Sequence, residues 1–215
     1  PESVALSQQA VDLGCEGVMV LPPFYFKGVS DEGLLRYYDE FIHRVNRPNL
    51  RIYLYHIPQV SGVGLSIDLV NALKEKYPST VVGIKDSSGD WENTKNLLSL
   101  DNFIVYPGSE LPLIDAMKLG APGCISATAN LNSRPSAEVI DCCEHKNWDK
   151  AIALHNPVAQ TRIVFQDYAP IPAQKALLSQ MTNRESWRNV RPPLIALTKE
   201  KTQQLQDALN AIEAG

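Results

Sequence analysis

The feature that most constrains this chain is a strict alternation. Short runs rich in β-branched residues, at 17–21, 52–57, 81–85, 103–107 and 123–127, are separated by longer stretches with apolar residues at helical spacing, at 31–47, 66–77, 91–100 and 110–119. A strand, a helix and a second strand of the same sheet form a right-handed parallel unit, and repeating the unit gives a parallel sheet clothed in helices. The spacing therefore predicts an α/β fold with five parallel strands. Ser66 and Asp90 stand where helix N-caps belong, and Gly120 follows the apolar positions Leu113, Ile114, Met117 and Leu119 as a helix-terminating glycine does. A helix is expected at 3–13, and past the fifth strand only helices, at 136–145, 148–165, 171–181 and 199–212.

Composition excludes several functions. The chain has 215 residues, 44% of them hydrophobic, enough to bury one real core. Its net charge of −4 is spread without a basic stripe, so neither nucleic acid nor a membrane surface is an expected partner. No apolar run approaches the roughly 18–20 residues of a membrane span, and no signal peptide is recognisable. The cysteines, Cys15, Cys124, Cys142 and Cys143, form no CxxC pair and read as reduced thiols of a cytoplasmic protein. His43 and His145 sit among charged helical neighbours, and His155 precedes an expected break at Asn156-Pro157. A metal-dependent enzyme needs several His, Asp or Glu ligands at strand ends, more than this chain offers, so no metal and no cofactor are expected.

Two architectures fit the alternation. An open doubly wound sheet often carries a glycine-rich phosphate loop after its first strand, and neither GxGxxG nor a Walker sequence is present. A barrel places polar residues at the carboxyl ends of many strands. Here those ends read Pro22-Pro23-Phe24-Tyr25, Tyr55-His56-Ile57-Pro58, Lys85-Asp86-Ser87, Gly108-Ser109-Glu110 and Ser126-Ala127-Thr128. Their convergence favours a barrel. Among them Lys85 closes an apolar run, where an amine needs a partner or a chemical task. It either snorkels to solvent or acts as a nucleophile. Tyr55 ends the preceding strand, as a rim residue or as a phenol that shuttles protons.

The segments LPPFYF, YHIPQVSG, GIKDSSGD, YPGSE and GCISATAN, in this order, resemble the dihydrodipicolinate synthase/N-acetylneuraminate lyase family of class I aldolases. The paired YxxPxxxG and GxKxxxGD motifs, which span Tyr55 to Lys85, carry most of the likeness. The resemblance implies a (β/α)8 TIM barrel with extra C-terminal helices, entered here at about the fourth strand, so that the chain is expected to be a fragment lacking the first three. Residues 1–135 would be the barrel portion, strands four to eight, and 136–215 the C-terminal helical region of the same domain. It also implies a homotetramer, a dimer of dimers, and a lyase that handles a pyruvate-related 2-oxo acid through a lysine Schiff base.

Carried over residue by residue, the likeness makes Lys85 the nucleophile, Tyr55 the proton shuttle and Tyr25 a tyrosine contributed to a neighbour's site. The cluster Phe24-Tyr25-Phe26 reads equally well as interface or core. Gly108 and Ile125 match pocket-lining backbone, with Ser109, Glu110 and Ser126 beside them, and Glu110 either binds a polyhydroxylated substrate tail or caps the following helix. One position departs from the pattern. Val60 stands where the lysine-pathway synthases carry a carboxylate-binding arginine, and valine cannot make that bidentate contact. A 2-oxo-3-deoxy sugar acid or 4-hydroxy-2-oxo acid therefore moves ahead of the synthase-type condensation. A non-catalytic barrel that binds a small acid remains the rival from another class.

Overall fold

Leu34, Tyr38, Phe41 and Val45 recur every three or four residues, which puts them on one helical face, and all four are buried. The same kind of spacing in the helices at Ile67–Lys76 and Trp91–Leu98 extends a helical layer over one parallel sheet. The structure, a computed structural model, describes residues 1–213. It divides into two compact units, Pro1–Gly108 with Leu119–Pro122, and Ser109–Lys118 with the residues from 123 onward.

The first unit runs α1 (Glu2–Asp12), β1 (Val18–Val20), α2 (Asp31–Val45), β2 (Ile52–His56), the single turn α3 (Pro58–Ser61), α4 (Ile67–Lys76), β3 (Val81–Asp86), α5 (Trp91–Leu98) and β4 (Ile104–Pro107). All strand pairs are parallel and the order is β1-β2-β3-β4. Sequential order without a reversal is barrel-type winding, since a doubly wound sheet turns back at a switch point. Burial agrees. Ile52, Leu54 and His56 are buried while Tyr53 and Tyr55 between them are only half-buried, so one face packs under the helices and the other stays open. The covered face forms a continuous core with Leu34 and Phe41 of α2, Leu69, Val70 and Leu73 of α4, and Leu97 of α5.

Helix starts follow side-chain chemistry. Ser30 Oγ accepts from the Gly33 N–H, Ser66 Oγ from the Leu69 N–H, and the Asp90 carboxylate from the N–H groups of Glu92 and Asn93. The turn α3 was not anticipated from sequence. Pro58 opens it at the first helical position and Gly62 closes it at φ 65°, a left-handed conformation that suits glycine.

The second unit is helical, with α6 (Leu113–Lys118), α7 (Ala129–Glu144), α8 (Trp148–Val164), α9 (Pro170–Thr182) and α10 (Lys199–Glu213). Leu113, Ile114, Val139, Cys142, Cys143, Ala151 and Val158 form one core, and Phe165, Ala173, Leu177 and Leu205 another. The adjacent Cys142 and Cys143 are thus packing residues.

Three expectations need correction. Residues 123–127 form no strand among the described residues. Pro122 withholds a donor and Gly123 sits at φ 152°, a poor opening for a ladder. The helix expected at 136–145 begins at Ala129, seven residues earlier, with non-helical backbone at Asn132 where the ring of Pro135 crowds the preceding turn. The break expected at Asn156-Pro157 is absent, because α8 runs through Pro157. No helix among the described residues is long and apolar enough to cross a membrane.

Candidate active site

Parallel register places Tyr55, Lys85 and Tyr106 side by side on β2, β3 and β4. All three are half-buried, on the open face of the sheet. Lys85 Nζ donates to Tyr55 Oη at 3.1 Å and lies 4.3 Å from the centre of the same ring. A cation over an aromatic face is held by the ring quadrupole. The row beneath holds Tyr53, whose ring centre is 6.0 Å from that of Tyr106. Gly83 makes room for it, since a Cβ there would stand 2.4 Å from the Ile104 carbonyl oxygen and 2.8 Å from the Tyr53 ring. Burial, with Tyr53 adding, pushes the Tyr106 phenol above its ordinary pKa.

The opposite face of the same strands is saturated. His56 and Asp86 are partners in register and both are buried. His56 Nδ1 accepts from the Leu65 N–H at 2.9 Å, which leaves the ring proton on Nε2. Burial pulls the His56 pKa below its ordinary value, and the Asp86 charge only partly opposes this. The Asp86 carboxylate accepts from the Ser88 N–H, Asn93 Nδ2 and Thr94 Oγ1 at 3.0, 3.1 and 2.7 Å. It thereby ties the loop after Lys85 to the start of α5.

The strand-end loops are stitched in sequence. Lys27 Nζ donates to the carbonyls of Phe24 and Ser61, joining the loop after β1 to α3. Gln59 Nε2 donates to the Ser87 carbonyl and the Gly108 N–H to that of Asp86, joining α3 to the loop after β3 and that loop to the end of β4. Gly108 is required there, because a Cβ would fall 2.0 Å from Ser87 Oγ. Val60 is 75% exposed and Tyr25 84% exposed, the latter edge-on to Phe26 at 5.2 Å. Within this chain neither packs into the Lys85–Tyr55 pair.

In the second unit Glu110 is fully buried. Its carboxylate accepts from Ser126 Oγ and Thr128 Oγ1, both at 2.6 Å, with Arg162 Nε 3.9 Å away. Its backbone carbonyl takes the Nε2 proton of His155 at 2.7 Å. Among the described residues the carboxylate accepts from these two hydroxyls and from no N–H of α6, so its side chain does not cap that helix. Nearby, burial pushes the Cys124 thiol up to about 12, with the Glu110 charge adding to it. Ser109 Oγ accepts from the Leu111 N–H at 3.2 Å, Ser126 is half-buried, and Ile125 is exposed.

Sequence reasoning missed Tyr106 and Asp86. The signal was present, because alternation along 103–107 puts Tyr106 on the face of Lys85, and Asp86 is the one charged residue on the packed face of β3. Chemically, an amine in hydrogen-bond contact with a phenol, on a face open to small molecules, is equipped to exchange protons while the amine attacks a carbonyl.

The chain is 33% identical over 215 residues to an uncharacterised DapA-like lyase of Chloroflexus aurantiacus, covering all of this chain and 71% of the relative. It is 31% identical to the 4-hydroxy-tetrahydrodipicolinate synthase of Oceanobacillus iheyensis, over 98% of this chain and 70% of that protein. Among solved structures, dihydrodipicolinate synthase from Agrobacterium tumefaciens superposes with a TM-score of 0.85 at 30% identity, over 98% of this chain and 71% of its own. The Escherichia coli prophage protein YagE, solved in complex with pyruvate, gives 0.88 at 26% identity, over 99% and 71%. These solved relatives are (β/α)8 barrels, and the sequential parallel sheet of the first unit matches part of such a barrel. Residues 1–212 match the sequence profile of the dihydrodipicolinate synthetase family, and the chain belongs to that family.

Proposed function

We propose that this chain carries the imine-forming apparatus of a pyruvate-dependent class I lyase. The carrying observation is the 3.1 Å contact between Lys85 Nζ and Tyr55 Oη on neighbouring strands. The neutral amine of Lys85 adds to the ketone carbon of a 2-oxo acid, and Tyr55 supplies the proton with which the carbinolamine oxygen leaves as water. The resulting iminium withdraws electrons, so a bond at the β-carbon is made or broken. Tyr55 then returns or removes the proton on the departing group. Gly108, Ser109, Ile125 and Ser126 are assigned to substrate binding. Tyr25 serves the site of a second copy, consistent with its exposure and with assembly as a dimer of dimers.

The substrate class follows from Val60. Without a guanidinium at this turn, a 2-oxo-3-deoxy sugar acid or 4-hydroxy-2-oxo acid is favoured over condensation with an acidic aldehyde. The four unpaired thiols suit a cytoplasmic location. Imine formation needs only β2 and β3, whereas turnover needs the complete pocket. The 215 residues alone are therefore expected to trap pyruvate and not to turn it over. A panel of 2-oxo acids assayed for pyruvate release, on this chain and on one extended to the length of its relatives, separates the two steps. Turnover by the 215 residues alone would refute the distinction. Failure of the extended protein on every substrate, together with no imine, would favour the small-acid-binding barrel.

A further inference from the structure

Lys85 stands on the open face between two phenols that play different parts. Tyr55, on the β2 side, accepts the hydrogen bond from the amine. Tyr106, the register partner of Lys85 on β4, is half-buried on the same face and packs against a third ring, that of Tyr53, at 6.0 Å between centres and a tilt of 57°. The Tyr53 ring is itself wedged between two backbones. A Cβ at Gly17 would stand 2.9 Å from its Cε2 edge, and one at Gly83 2.8 Å from its Cδ1 edge, so the ring lies where only glycines let it lie. With Tyr53 fixed in this way, Tyr106 has no room to fold down onto the sheet. Burial, with Tyr53 adding, raises the Tyr106 pKa, so the phenol stays neutral near neutral pH and brings bulk without charge.

What this wall does follows from the imine chemistry proposed for Lys85, on which the inference rests. The imine carbon of a bound 2-oxo acid carries two branches, the carboxylate and C3. A carboxylate set against aromatic ring faces loses hydration without compensation, so C3 is the branch that meets the wall. We infer that Tyr106, backed by Tyr53, is the specificity-determining residue of the Lys85 site: it accepts a CH3 or CH2 at C3 and rejects a branched C3, which restricts the substrates to 2-oxo acids unsubstituted at that carbon. The chain from C4 onward leaves toward the open side of the face. A surplus methyl group driven into packed rings forces them out of their preferred rotamers, and one such group changes discrimination by about tenfold or more.

The test is a competition. The chain is incubated with equal amounts of 2-oxobutanoate and 3-methyl-2-oxobutanoate and reduced with borohydride. The two adducts on the Lys85 peptide are then quantified against the same two on the exposed Lys150, which reports the intrinsic preference of a free amine. Lys85 is expected to favour the unbranched acid about tenfold or more beyond Lys150, and Tyr106→Leu to bring the two lysines within about twofold of each other. Tyr53→Leu leaves Tyr106 in place but removes its backing; it should relax the preference part of the way, and it remains informative if Tyr106→Leu fails to fold. Tyr106→Phe keeps the ring and should keep the preference. A wild-type preference equal to that of Lys150, an undiminished one in Tyr106→Leu, or a lost one in Tyr106→Phe overturns the wall. If Lys85 forms no adduct even with pyruvate, the imine chemistry falls and the wall with it, so the two failures are told apart.

Discussion

Lys85 and Glu110 each carry an ionisable group into the body of a unit, and they are treated in opposite ways. Lys85 has one phenol at 3.1 Å, one ring face, and an open sheet face in front of it. Glu110 is fully enclosed, with both oxygens committed to Ser126 and Thr128 and its carbonyl to His155. A charge enclosed in this way is a structural member, because each oxygen already holds a hydrogen bond and no water can reach it. A half-satisfied one retains reactivity. The difference separates a residue that holds a loop from one equipped for chemistry, and it is made by register on one side and by long-range packing on the other.

The sharpest way to break this comparison is Lys85→Ala. It should abolish reductive trapping of pyruvate while the far-ultraviolet circular dichroism stays unchanged, since the side chain belongs to the open face. A loss of tenfold or less would mean that another amine does the work. Next in size, Tyr55→Phe should slow trapping about a hundredfold, as expected for loss of a positioned proton donor, with thermal stability nearly intact. An unaltered rate would reduce Tyr55 to a rim residue.

Glu110→Ala should show the reverse profile. Leaving Ser126, Thr128 and Arg162 without their common acceptor is expected to cost about 2–4 kcal/mol in urea unfolding, with little change in trapping per folded molecule. Slow trapping at full stability would give Glu110 a chemical role after all.

A smaller effect concerns His56 on the packed face. Its pKa is lowered in the folded chain by burial, so the unfolded chain takes up the proton first as pH falls below the ordinary 6.5. Stability should be full above that pH and decline as pH drops toward the folded value, and His56→Gln should flatten that part of the curve. A wild-type profile with no decline below pH 6.5 would contradict a buried neutral imidazole. Smallest of all, Ser30→Ala removes one cap of α2 and should cost about 1 kcal/mol without touching either site.

Much of the first unit was legible because its signals are local. Short β-branched and apolar runs named β2 and β3, helical spacing named α2 and α4, and Ser66 and Asp90 announced their helices by cap chemistry. The Lys85–Tyr55 pair was legible as well, since parallel strands that end together bring their last open-face residues together. What failed was non-local or disguised. Residues 123–127 carry the apolar content of a strand, but strand structure requires a ladder partner, and Pro122 with Gly123 opens the segment badly. The partners of Glu110 lie in distant stretches of sequence, on Ser126, Thr128 and Arg162, so no window around Glu110 announces its burial. Proline was read too literally at position 157 and too late at position 135, where the helix bends and continues.

The central claim is that Lys85 is the imine-forming residue. Incubating the folded chain with pyruvate and borohydride, then mapping the modified peptide by mass spectrometry, tests it most directly. The account predicts a single reduced adduct, on the peptide carrying Lys85, and none when pyruvate is omitted. An adduct on a different lysine, or no adduct on a chain shown to be folded, would contradict it.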